Sequence, residues 1–179
     1  FWMQENGVSV RITGESAFEK TAGGESMTKK QYGDEAERLA PSLRRIAYSI
    51  VCNEHDAQDA VQEALLSVWA RRENVDLARL KPYLARAVIN ACRDIQRARQ
   101  KAIPVETVPE SGYEPPDSAL YDAVERLPEE LRLPLLLHYM EGYKLAEIAG
   151  ALGQSLPQLT SRLFRARKLL RRMLEEVEA

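Results

Sequence analysis

The sequence is poor in the residues that build covalent or metal-held frameworks. Its 179 residues include two cysteines, Cys52 and Cys92, and two histidines, His55 and His138. A structural zinc site needs four nitrogen or sulfur ligands at short spacings, and no CxxC or His pair supplies them, so neither a metal nor a cofactor is expected. Both cysteines have apolar neighbours in sequence, which favours reduced, buried thiols over a disulfide. No window approaches the roughly 18 to 20 apolar residues of a spanning helix, so membrane insertion is not expected. No basic stretch leads into an apolar run at the start, so no secretory signal is expected and a cytoplasmic location follows. A G-x-S-x-G turn, a glycine-rich phosphate loop and an HExxH helix are also missing, which argues against an enzyme. What remains is 45% hydrophobic and 29% charged, with a net charge of -2, a composition that fits one soluble domain or two small ones.

The near-neutral total hides a segregation of sign. Residues 54–63 carry Glu54, Asp56, Asp59 and Glu63 without Lys or Arg, whereas 71–101 carry nine bases against Glu73, Asp76 and Asp94. Six acids without a base follow in 106–125, then six bases without an acid in 161–172. Two basic blocks separated by an acidic one read as two anion-binding surfaces on separate modules, with solvated helix faces as the plainer alternative.

Apolar spacing is helical almost throughout from Asp34 onward. Leu39, Leu43, Ile46, Ala47 and Ile50 form one stripe, and Asn53 offers a cap for the next helix. That helix has its core face at Val61, Ala64, Leu65, Val68 and Trp69. In a third helix Leu80, Leu84, Val88, Ala91 and Ile95 share one side, while Arg79, Arg86, Asn90, Arg93 and Arg97 line another. Pro104, Pro109, Pro115 and Pro116, with Ser111 and Gly112, mark a flexible linker that spans roughly 50 Å when fully extended. The pattern resumes near Ser118 and restarts at Pro128 ahead of Glu129 and Glu130, and Pro134 should bend or end that helix. The expected fold is all-α: two small helical domains, 27–103 and 118–179, joined by linker 104–117. Residues 1–26 contain one short alternating run (Val8, Val10, Ile12) and a Gly/Ser stretch; they read as an N-terminal extension or fusion remnant ahead of a native start at Met27.

The most specific stretch is LAEIAGALGQSLPQLTSRLFRARKLL. Two helices that meet at a sharp turn need a small residue at the crossing, here Ala149, and a left-handed cap, here Gly153. Leu159 fills the wedge, with Ile148, Leu152 and Leu156 as supporting core. Ser155 and Gln158 make an S-x-x-Q capping box for the second helix. That leaves Gln158, Thr160, Ser161, Arg162, Arg165 and Arg167 for solvent or a partner. Such a helix-turn-helix places its second helix in the DNA major groove.

Both modules together resemble a bacterial extracytoplasmic-function (ECF) sigma factor of the sigma-70 superfamily, over about Asp34 to Glu175. DAQDAVQEALLSVW is similar to the second-region helix that docks on polymerase, LKPYLARAVINACRDIQRAR to the helix after it, with Asn90, Asp94 and Arg97 on family positions, and the stretch from LPEELRLPLLLHYM onward to the fourth region. The resemblance implies a factor that binds the RNA polymerase core through the β′ clamp helices and the β flap, melts the minus-ten element with its first module and reads the minus-thirty-five element with its second. Asp59, Gln62, Glu63 and Leu66 form the implied polymerase stripe. Asn74, Val75, Asp76 and Leu77, in the loop the family uses to capture a flipped base, join Arg86, Asn90, Arg93 and Arg97 as minus-ten candidates. Gln158, Thr160, Ser161, Arg162, Arg165 and Arg167 are the minus-thirty-five candidates. The resemblance also implies an anti-sigma partner. Lys144 stands where the family usually has a hydroxyl cap, at a cost of about 1 kcal/mol, and in the second helix Gln158, Leu159 and Thr160 replace the usual residues, so base preference does not transfer. A stand-alone helix-turn-helix regulator and a helical adaptor that never touches DNA are the alternatives.

Overall fold

The computed structural model describes the backbone of residues 2–5, 8–11, 27–101 and 118–178. Linker 104–117 and most of the N-terminal extension lie outside the described residues. Within the extension, β1 (Trp2–Glu5) pairs antiparallel with β2 (Val8–Arg11), with Met3 opposite Val10. This hairpin is an addition to the all-α expectation; the two modules themselves are helical.

The first module is three helices: α1 (Lys29–Val51), α2 (Glu54–Trp69) and α3 (Leu80–Lys101). α1 starts before its apolar stripe because Thr28 and Gln31 form a reciprocal capping box, with Thr28 N–H donating to Gln31 Oε1 at 2.9 Å and Gln31 N–H to Thr28 Oγ1 at 3.2 Å. Asn53 caps α2 as expected, its Oδ1 accepting from Asp56 N–H at 3.0 Å. Leu43, Ile46, Leu80, Leu84 and Val88 are fully buried between the helices. Tyr32 reaches the same core with its hydroxyl satisfied, donating to Leu65 O at 2.6 Å, and burial pushes its pKa up to about 12. Cys92 is buried as expected, its thiol pushed up to about 12 first by burial and then by Glu129. Cys52 is not: it is exposed, because it ends α1 in the left-handed conformation at φ 52° and so turns away from the core.

The second module holds α4 (Ser118–Glu125), α5 (Glu129–Leu135), α6 (Leu145–Leu152) and α7 (Leu156–Glu178). Pro128 stands at the cap of α5 rather than inside its first turn. After Pro134, which has no N–H to continue the ladder, the chain widens into a π turn, Leu136–Met140, closed by Glu141 N–H on Leu136 O at 3.1 Å. Gly142, at φ 67°, reverses the chain into α6. The modules pack together, α5 against α1 and α6 against α3.

Candidate nucleic-acid interface

The helix-turn-helix forms as its local chemistry requires. Ala149 is buried at the crossing of α6 and α7, and Gly153 ends α6 at φ 66°, its N–H bonded to Ala149 O. A side chain at that φ would cost on the order of 1 kcal/mol, so glycine is the residue that fits. Leu159 is fully buried in the wedge. Leu156, expected beside it, is instead 48% exposed, because the first residue of α7 lies before the helix has turned its apolar side toward α6. At Lys144 no side chain caps the first turn of α6, and only the return half of a capping box is present, Glu147 Oε2 accepting the Lys144 N–H at 2.8 Å.

Local hydrogen bonds divide the recognition candidates. Ser155 N–H donates to Gln158 Oε1 at 3.0 Å and Gln158 N–H to Ser155 Oγ at 3.4 Å, so the capping box forms and the Gln158 carbonyl is committed to it. Its amide NH₂ is what remains to address a base. The Thr160 hydroxyl donates to Leu156 O at 2.9 Å. Gln158, Ser161, Arg162 and Arg165 line one open groove with Gly153, Gln154 and Pro157. Arg167 is exposed but lies half a turn round the helix from Gln158, so the six candidates do not form one face. Phe164, not among the candidates, is 62% exposed on the outward side next to Arg165. Its spacing from Leu163 and Ala166 places it off the core, a signal that its apolar character masks.

In the first module Asp59, Gln62, Glu63 and Leu66 all reach solvent, and Leu66 is 69% exposed, so the stripe read from spacing is a real outward surface of α2. The loop after it departs from expectation. It runs as two short 3₁₀ turns, Arg72–Asn74 and Leu77–Arg79. Asn74 and Leu77 are exposed, but Val75 is 2% exposed and belongs to the core, so its assignment as a base-contacting residue is corrected. Asp76 is turned to local work, its Oδ1 accepting from Ala78 N–H at 3.0 Å. The loop's base is fixed by Arg72, whose guanidinium lies 4.4 Å from the Trp69 ring centroid and donates to Trp69 O at 3.1 Å. On α3, Asn90 and Arg97 are exposed while Arg86 and Arg93 are half-buried. Arg97 pairs with Asp94 at 2.7 Å, an exposed contact of little stabilising value that a phosphate can replace.

Family models match both halves: Sigma-70 region 2 over residues 36–102 and Sigma-70, region 4 over residues 117–170. Over 71% of this chain and 81% of its relative, the sequence is 32% identical to RNA polymerase sigma factor SigV of Bacillus subtilis. It is 36% identical to the ECF RNA polymerase sigma factor SigM of Mycobacterium tuberculosis, over 74% of this chain and 71% of that one. The fold superposes with a TM-score of 0.62 on Bartonella quintana RpoE, solved in complex with the anti-sigma factor NepR, at 24% identity over 82% of this chain and 98% of that one. A helical unit with a basic third helix, followed by a helix-turn-helix, is the two-region form of a transcription initiation factor. The chain belongs to the ECF group of the sigma-70 family, whose members are RNA polymerase sigma factors.

Proposed function

We propose that this chain directs bacterial RNA polymerase core to promoters, with α3 and the 71–79 loop on the minus-ten element and α7 on the minus-thirty-five element. The observation that carries the reading is the joint occurrence, in one chain, of an exposed acidic stripe with a bare leucine on α2 and a complete helix-turn-helix in the module that follows. A stand-alone regulator has no use for the stripe. Asp59, Gln62, Glu63 and Leu66 are assigned to the β′ clamp helices, a surface of the second module to the β flap. Asn74, Leu77, Asn90 and Arg97 meet the melted strand and its flanking phosphates, with Arg86 and Arg93 behind them. Gln158, Ser161, Arg162 and Arg165 face base edges and phosphates in the major groove.

The factor performs no turnover of its own, acts in the cytoplasm where the polymerase is, and is held in reserve by an anti-sigma protein, a reading supported by the complex of Bartonella quintana RpoE with the anti-sigma factor NepR. No helix among the described residues is long and apolar enough to cross a membrane. Run-off transcription with purified core polymerase tests the reading. Promoter-dependent product that appears only when the chain is added supports it; no product over a broad set of promoters overturns it in favour of a regulator or adaptor.

A further inference from the structure

The loop that follows α2 is fastened to the three-helix core at three points. Trp69, the last residue of α2, packs edge-on against Tyr32 of α1 with ring centroids 5.3 Å apart, and the Tyr32 hydroxyl donates to Leu65 O at 2.6 Å. Arg72 lays its guanidinium 4.4 Å from the Trp69 ring centroid, donates from Nη1 to Trp69 O at 3.1 Å and from Nη2 to Glu73 Oε1 at 3.0 Å. Its side chain is 16% exposed, and Nε is withdrawn from water with no hydrogen-bond partner among the described residues. Val75 is the second pin, and Leu80, which opens α3 with no exposure, is the third.

The pins decide which side chains the loop shows. Exposed Asn74 lies between Arg72 and Val75, and exposed Leu77 between Val75 and Leu80. Asn74 N–H donates to Arg71 O at 2.9 Å, Val75 N–H to Arg72 O at 3.2 Å and Arg79 N–H to Asp76 O at 2.9 Å. Three-residue 3₁₀ turns with so few bonds fray unless side chains hold them. Arg72 is placed to do so, since a planar guanidinium stacks on a ring and donates to a carbonyl at once, and the stacking gains strength where water is excluded. Its charge is committed to Trp69 and Glu73, so a phosphate contact would have to break both.

We propose that Arg72 is a positioning residue for minus-ten recognition: stacked on Trp69, it holds the 71–79 loop pre-formed, with Asn74 and Leu77 already turned toward the melted strand. A loop that orders only on capture loses affinity to its own ordering entropy. The rigidity of the loop stands by itself; its use in promoter opening rests on the sigma reading. The test compares wild type with Arg72→Met and Arg72→Gln, neither of which keeps the cation. In the free full chain, hydrogen exchange followed by NMR at the Asn74, Val75 and Arg79 amides reads the loop, with the amides of α1 and α3 as internal reference for the fold. Both variants are expected to exchange about tenfold faster in the loop and at wild-type rates in the helices. With core polymerase, permanganate footprinting is expected to show melting slowed about tenfold at unchanged core affinity. In a chain that already carries Asn74→Ala and Leu77→Ala, Arg72→Met should add less than about twofold, because its effect passes through those two side chains. Loop amides that exchange as slowly in both variants as in wild type overturn the clamp. A faster loop with unchanged melting, or a full tenfold loss added to the Asn74→Ala, Leu77→Ala chain, overturns the positioning role. A faster loop in the variants, with no promoter-dependent product from any of the proteins, wild type included, leaves the clamp standing and overturns the sigma reading.

Discussion

The two modules each present a basic helix, yet they are built on different kinds of information. In the second module the decisive interactions are local: Gly153 caps α6, Ser155 and Gln158 cap α7 within four residues, and Leu159 closes the wedge. In the first, the decisive interactions span the chain: Tyr32 bonds Leu65 O, Trp69 stacks edge-on with Tyr32 at 5.3 Å and under Arg72, and Arg99 pairs with Asp56. Local order leaves α7 free to spend its exposed side chains on a ligand. Long-range order recruits the side chains of the 71–79 loop and of α3 into the scaffold itself.

Truncation of the wedge should give the largest effect. Leu159→Ala leaves a cavity in a site with no exposure, and a loss of about 2 to 5 kcal/mol in the urea unfolding free energy is expected. A change below 1 kcal/mol would mean that α6 and α7 can close on each other without it. The next prediction splits two neighbours in the first module. Val75→Ala is expected to cost about 2 kcal/mol of stability through lost burial, while exposed Asn74→Ala costs less than about 0.5 kcal/mol but slows promoter opening, as read by permanganate footprinting of the melted strand. The reverse pattern would return Val75 to the DNA-contacting set.

These contrasts explain what the sequence showed. Helix positions, the acidic stripe and the helix-turn-helix were legible because each depends on spacing or on capping chemistry within a few residues. Val75, Leu156 and Cys52 were misread because a residue at an element boundary takes its direction from the turn, which apolar periodicity does not encode. The bonds that Arg45 and the Ser42 hydroxyl of α1 donate to the buried Glu141 carboxylate were invisible for the same reason at longer range, as the partners lie 96 and 99 positions apart.

A smaller effect separates the cysteines. At pH 8 a maleimide should label exposed Cys52 within minutes, whereas Cys92 should react only when the chain unfolds. The Cys92 thiol, raised from 9.0 to about 12, and the Tyr32 hydroxyl, raised from 10.0 to about 12, both favour the neutral form in the fold. Their contribution to stability is therefore full below about pH 9 and is lost as pH rises toward 12, a decline that alkaline urea titration should record. Equal labelling of both thiols in the native state would place Cys92 outside the core.

The central claim is a division of labour: α7 reads bases, and α3 grips the backbone. Holoenzyme transcription on a library randomised at the minus-thirty-five element tests it directly, with Arg165→Ala compared against Arg97→Ala. A base-edge contact is worth roughly 1 to 3 kcal/mol of discrimination, so Arg165→Ala should change the ranking of sequences, while Arg97→Ala should lower all of them by a common factor and flatten the salt dependence by about 0.7 to 0.9 in log-log slope. A uniform loss from Arg165→Ala, with the ranking intact, would contradict the account and place base reading elsewhere on the chain.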